Sequence, residues 1–223
     1  MKLPKKQIIQ PPKLSRKLPV SDIQQLADRQ EYASIKISGG NLAGQAGRNI
    51  FFEEVLMHRM ALTEARLPKV RLIDMRMESC DLSGTYLEEA RLRRVELIGC
   101  RLLGVRFLSA QLDDVIFREC NLEGAIFSLA EGKSIRFEKC ILKNATFDSA
   151  SLDSITFDHC DLSHVDFRYI KLKHADLRGS VINGMQIEAK AVKGIVISPM
   201  QAIQMVGLLG LIVEDEDIPM EQG

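Results

Sequence analysis

The sequence predicts an all-β solenoid, a chain wound into a four-sided coil whose turns stack into a rod. Three observations carry this. Every fifth residue is bulky and apolar, as in Leu82, Leu87, Leu92, Leu97, Leu102, Phe107 and Leu112. Two places before each stands a small or β-branched residue, as in Cys80, Thr85, Ala90, Val95 and Cys100. A period of twenty lies over the first: Cys80, Cys100, Cys120, Cys140 and Cys160 form one column, Phe107, Phe127, Phe147 and Phe167 a second, and Phe117, Phe137 and Phe157 a third. A period of five fits neither the helix, at about 3.6, nor the strand, at about 2. Fixed self-similarity is the mark of a repeat architecture. Four five-residue segments make one coil, and each side contributes one small and one large inward residue. Each coil buries its apolar residues only by stacking on its neighbours.

The segments Cys80-Asp81-Leu82-Ser83-Gly84 and Ala175-Asp176-Leu177-Arg178-Gly179 resemble the motif of the pentapeptide-repeat family, roughly Ala-(Asp/Asn)-Leu-x-x. The resemblance implies a right-handed quadrilateral parallel β-helix. One register holds without insertion from Ile37 to Ile197, thirty-three pentads. That makes about eight coils, or roughly 40 Å of rod at an inter-strand spacing of ~4.8 Å. Gly132 interrupts the column of large residues between Leu112 and Leu152, which predicts a void or a displaced main chain. Lys190 stands where a small residue belongs, so the last coil is expected to be imperfect.

Taken in order, residues 1–20 carry six basic residues, four prolines and no acid, and are expected to form a disordered arm. Residues 21–34 are expected to cap the N-terminal end with a short helix, because Ser21-Asp22-Ile23-Gln24 reads as a capping box opening a helix at 22–30. Residues 35–197 form the coil, irregular at first, with Gly47 out of register. The column Gly84, Gly104, Gly124, Asn144 predicts type II turns at one corner, since these residues accept positive φ. Residues 198–213 form a C-terminal module. Ser198 caps a helix that Pro199 begins and Gly210 ends, and Leu211–Val213 follow as a short strand. Residues 214–223 are an acidic tail.

Composition excludes little: formal net charge is zero, tryptophan is absent and hydrophobic content is 46%. No stretch is apolar and long enough to span a bilayer, and the basic N-terminus lacks the apolar core of a signal peptide, so a cytoplasmic protein without membrane contact is expected. The cysteines, all in one inward column, read as free structural thiols. His159, His164 and His174 fall on three different sides and His58 lies far away, so no metal site is expected. Asp113-Asp114 reads as a solvated surface pair. Neither a phosphate loop nor a nucleophile elbow is present. No catalytic residue and no cofactor are expected, and the chain reads as a non-enzyme.

Two functional readings follow. The first is a rigid scaffold for protein–protein interaction. The second comes from the resemblance: some pentapeptide-repeat proteins imitate duplex DNA, bind type II topoisomerase (gyrase) and protect it from quinolones. Duplex DNA carries about one charge per 1.7 Å, whereas residues 77–197 hold eighteen Asp and Glu against sixteen Lys and Arg, a net of −2. Direct nucleic-acid binding is not expected, since no basic stripe appears. The C-terminal helix has more apolar surface than one coil end can cover, which predicts a homodimer through Met200, Ile203, Met205, Val206, Leu208, Leu209, Leu211 and Val213.

Overall fold

A computed structural model describes residues 8–208 and Ile212. Residues 31–197 wind into a four-sided parallel β-solenoid. The four sides are numbered here by their large inward residues: side one holds Leu82, side two Leu87, side three Leu92 and side four Leu97. Sides three and four run together as continuous strands: β1 (Glu31–Asn41), β2 (Phe51–Ala61), β3 (Arg71–Glu78), β4 (Arg91–Ile98), β5 (Gln111–Arg118), β6 (Glu131–Glu138) and β7 (Ser151–Asp158). All pair in parallel with an offset of twenty, as in Leu72↔Leu92 and Leu97↔Phe117. Sides one and two carry isolated parallel bridges such as Asp81↔Arg101 and Tyr86↔Arg106, separated by turns.

The turn chemistry is more general than expected. Positive φ recurs at all four corners of the coil, not only after the cysteine side: Gly84, Glu89, Arg94 and Gly99 in a single turn adopt 65°, 55°, 54° and 58°. On sides one and two the corner is closed by a hydrogen bond to the large residue, Thr85 N–H to the Leu82 carbonyl at 3.0 Å and Ala90 N–H to that of Leu87 at 3.2 Å. The stacked backbone therefore imposes a left-handed residue every fifth position, whatever its side chain, and its cost is met by the interactions of the stack.

The core is built as the repeat dictates. Phe107, Phe127 and Phe147 stack nearly parallel on side two, with centroids 5.0 and 4.6 Å apart, and Phe117, Phe137 and Phe157 do so on side four at 4.7 and 5.1 Å. The two columns meet edge to face, with Phe127 and Phe137 5.9 Å apart at 87°. The five buried thiols each direct Sγ at the carbonyl of the residue 23 earlier, as Cys120 does to Leu97 at 3.4 Å. Thr85 makes the equivalent bond to Leu62, and Ser180, which continues the cysteine column, makes it to Phe157. A small inward residue with one weak donor thus satisfies a carbonyl of the preceding coil.

The two glycines at large inward positions resolve differently. At Gly47, Ile50 Cδ1 comes within 2.5 Å of where a Cβ would stand, so the next inward residue fills the space. At Gly132 a Cβ would lie 2.2 Å from the Leu112 carbonyl oxygen, so the main chain has closed on the preceding coil and no void is left.

Three expectations about the ends are corrected. Residues 21–30 are not helical. Ser21 N–H goes to the Lys36 carbonyl, Arg29 N–H to that of Arg48, and Gln30 accepts from Phe51. The open end of the coil offers unpaired backbone groups that an extended segment can satisfy and a helix cannot, and Ile23 and Leu26 turn inward as they would in a further coil. The early coils are regular, with Ile37, Leu42, Phe52, Val55, Met57 and Leu62 all buried. The arm is also placed: residues 8–20 lie along the rod, as described below. At the other end the coil weakens as expected, with short strands β8 (Asp166–Phe167), β9 (Lys171–Lys173) and β10 (Gln186–Ile187), a single 3₁₀ turn at Ala189–Ala191, and Lys190 exposed. Helix α1 (Pro199–Leu208) follows.

Candidate interaction surfaces

With the inward residues packed into a dry core, any chemistry must lie on the outer positions. His159, His164 and His174 fall on three different sides, as expected, and His58 lies on side four five coils from His159. His159 pairs with Asp158 at 2.6 Å and His174 with Asp153 at 2.8 Å. Among the described residues no group of three or more His, Cys, Asp or Glu is placed to hold a metal ion. The five thiols of the cysteine ladder are buried. Neighbouring thiols and burial push Cys80, Cys120 and Cys160 up, while hydrogen bonds with those same neighbours pull Cys100 and Cys140 down. Burial keeps all five out of reach of a solvent-borne partner.

On side four acids and cations are interleaved and pair both across the coils and within them. Arg76 binds Glu96 at 2.8 Å, Arg118 and Arg136 both bind Glu138, and Arg178 binds Asp176 at 2.7 Å. Lys139 approaches Glu119 at 3.8 Å. Burial acts to raise the Glu138 carboxyl, and the hydrogen bonds from Arg118 and Arg136 outweigh it and lower it. Side two presents a different ladder, with the Arg66 and Arg106 guanidinium groups on Tyr86 at 4.8 and 4.6 Å. Where sides two and three meet, Lys69, Arg71, Arg91, Glu88 and Glu89 line a shallow groove of mixed sign.

Side three carries the arm. Its corner column reads Ser34, Glu54, Asp74, Arg94, Asp114, one residue per coil. Ser15 N–H donates to Glu54 at 2.8 Å, Lys13 N–H to Asp74 at 2.9 Å, and Gln10 N–H to Asp114 at 3.2 Å. The Ser15 and Ser34 hydroxyls also donate to Glu54, and these bonds hold its carboxyl below the ordinary range. Arg94 grips Asp74 through both carboxylate oxygens. Burial acts to raise Asp74, and the bonds from Arg94 and the Lys13 amide lower it on balance. The arm was expected to be free because it is basic and cannot form a core. That reasoning left out that its amides can meet carboxylates repeating every twenty residues, a pattern visible in the sequence.

The C-terminal surface divides in two. Gln201 and Met205 are buried against the chain's own coil. Gln201 accepts from Ser198 N–H and donates to the carbonyls of Leu177 and Ser180, both at 2.7 Å, while Ser198 Oγ accepts from Gln201 N–H. Sequence reasoning missed Gln201, although Ser198-Pro199-Met200-Gln201 has the spacing of a capping box. Met205 is a correction: expected at an interface between copies, it belongs to its own core. Met200 and Ile203 are exposed at 74% and 59%, and Val206 is half-buried. Val181 and Met200 line one shallow recess at this end. The side chain of Leu208, and Leu209, Gly210, Leu211 and Val213, lie outside the described residues.

Residues 71–147 match the family model for a pentapeptide repeat region, and residues 140–179 match that for pentapeptide repeats in eight copies. No curated protein matches the chain. Solved structures similar to it include full-length QnrB1, a plasmid-mediated fluoroquinolone resistance protein, at 20% identity over 86% of this chain and 100% of that one, with a TM-score of 0.45. HetL, involved in heterocyst differentiation regulation in the cyanobacterium Nostoc sp. strain PCC 7120, matches at 17% identity over 76% and 87%, with a TM-score of 0.39.

Proposed function

The chain belongs to the pentapeptide-repeat family, and on that premise we propose that it is a non-enzymatic scaffold, a rigid rod that binds another protein along its flat sides. The observation that supports this best is the character of side four. Its acids are neutralised coil by coil by Arg76, Arg118, Arg136 and Arg178, so it offers a patterned surface of both signs rather than a continuous field. Complementary patterns of that kind confer partner specificity. Imitation of duplex DNA ranks second for the same reason, because it needs unspent negative charge along the rod.

The rod is further proposed to work as a homodimer through its C-terminal end, by way of the exposed Met200 and Ile203, with Val206, Leu208, Leu209, Leu211 and Val213, which follow them in the sequence. Two measurements test these readings. Purified protein is added at micromolar concentration to a gyrase supercoiling assay with and without a quinolone. No change in either is expected, and inhibition or relief would instead favour the DNA-imitation reading. Light scattering should return twice the chain mass of 25.0 kDa, and Met200→Asp with Ile203→Asp should return folded monomers. A monomeric wild type would refute the dimer.

A further inference from the structure

The arm on side three is held in an unusual way. None of residues 8–20 is buried; Ile9, Pro12, Leu14 and Leu18 are half-covered and the rest are exposed. The anchors are main-chain amides given to carboxylates, so they depend on the course of the arm more than on its side chains. That course matches the spacing of the coils. Pro11 and Pro12 stand between the donors Gln10 and Lys13 and favour an extended polyproline conformation. Three residues at a rise of about 3.1 Å advance about 9 Å. Asp74 and Asp114 are two coils apart, about 9.6 Å at ~4.8 Å per coil. The two-residue step from Lys13 to Ser15 spans the single coil from Asp74 to Glu54 with length to spare. Charge is complementary as well: the arm carries Lys13, Arg16 and Lys17, and side three bears Glu53, Glu54, Asp74, Asp113 and Asp114 against Arg93 and Arg94.

Between Gln10 and Ser15 the segment is held by three amide–carboxylate bonds and the Ser15 hydroxyl, with its C-terminal end tied to the coil where Pro19 accepts from Lys36 N–H at 2.8 Å. With no buried apolar anchor, such a segment can be exchanged for another of the same kind. We propose that side three is a docking surface for an extended, basic, proline-containing segment of a partner protein, and that the chain's own arm occupies it in cis as a displaceable strap. This rests on the scaffold reading and names the surface and the chemistry of its partner. The strap makes the surface selective, because a partner must compete with a tethered copy of its own pattern.

The test uses the full chain and a fluorescein-labelled peptide with the sequence of residues 7–20, followed by anisotropy. Wild-type protein should bind it weakly, because the tethered arm competes. Lys13→Glu with Arg16→Glu and Lys17→Glu, which weakens the strap without touching the rod, should tighten binding at least tenfold. Adding Glu54→Gln and Asp114→Asn, both half-buried and outside the buried Asp74–Arg94 pair, should abolish the gain. The proposal is overturned if the arm variant takes up no peptide, since the arm is then a fixed structural strap. Binding that survives the two rod substitutions overturns it too, as does equal binding of a peptide with both prolines replaced by glycine. Should light scattering show a wild-type dimer that the arm variant alone abolishes, the occupant is the arm of a second copy and the partner proposal fails. Failure of any of these leaves the scaffold reading intact on the other sides, which the gyrase assay addresses separately.

Discussion

The two ends of the rod face the same problem and solve it with different chemistry. A solenoid leaves an open strand edge at each end, with backbone groups lacking the next coil. At the C-terminal end a helix covers the edge, and the buried Gln201 closes the carbonyls of Leu177 and Ser180 while capping that helix. At the N-terminal end an extended segment follows the path of a further coil. It is clamped by Gln45, whose Oε1 accepts from Leu26 N–H at 2.8 Å and whose Nε2 donates to the Gln24 carbonyl at 3.2 Å. One glutamine serves each end, but Gln201 works in a dry environment and Gln45 is half-buried. A polar clamp is worth most where water cannot replace it.

That difference can be measured directly. Gln201→Ala strands the buried Ser180 carbonyl, leaves that of Leu177 with Ser180 N–H alone and removes a helix cap, at roughly 1–3 kcal/mol for the unsatisfied group and about 1 kcal/mol for the cap. A loss of about 3 kcal/mol is expected, appearing as faster native-state hydrogen exchange in residues 171–197 while the middle coils stay protected. Gln45→Ala should cost about 1 kcal/mol, since solvent reaches the freed groups. Equal losses at the two ends would remove burial as the explanation.

The middle of the rod supplies the reference for both ends. There Gly132→Leu pushes a side chain into the Leu112 carbonyl rather than into a cavity, so it should destabilise by about 1–3 kcal/mol. Denaturant unfolding of the variant checks this, and stabilisation would mean that space exists beside Gly132 after all. The effect should fall between those of the two glutamines.

What the sequence revealed follows the strength of its period. The coil, its four sides and the facing Phe columns could be read because the same residue returns every twenty positions, and each return is a vote for one register. The ends have no second copy to vote. Ser198-Pro199 was read correctly as a helix start because the local cap has nothing to compete with. Ser21-Asp22-Ile23-Gln24 carries the same signal, but the exposed carbonyl of Lys36 and the other groups of the first coil outcompete a helix there. Gln45 and Gln201 were invisible as clamps, since their partners are main-chain groups about 20 residues away that no residue type announces. The arm's landing on Glu54, Asp74 and Asp114 was legible only if the acidic column and the basic segment were considered together.

The smallest effect separates the ends by pH. Glu54 and Asp74 both have carboxyls lowered below their ordinary values, Glu54 by the Ser15 and Ser34 hydroxyls, and Asp74 by Arg94 and the Lys13 amide against the opposing effect of burial. A group lowered in the folded state adds stability that is present above its unfolded pKa, about 4 for a carboxylate, and is lost as pH falls through the folded value. The arm should therefore stay docked at neutral pH and release below about pH 4, beginning with Glu54, whose exposed bonds are open to water. The C-terminal clamp contains no titrating group: Gln201, Ser198 and two main-chain carbonyls do not change charge. Amide exchange of residues 10–15, followed by NMR between pH 6 and pH 3, should rise while that of residues 198–205 stays level after correction for intrinsic rates. Parallel loss at both ends would mean that the rod itself opens in acid, and the arm would then report the coil and not its own three carboxylates.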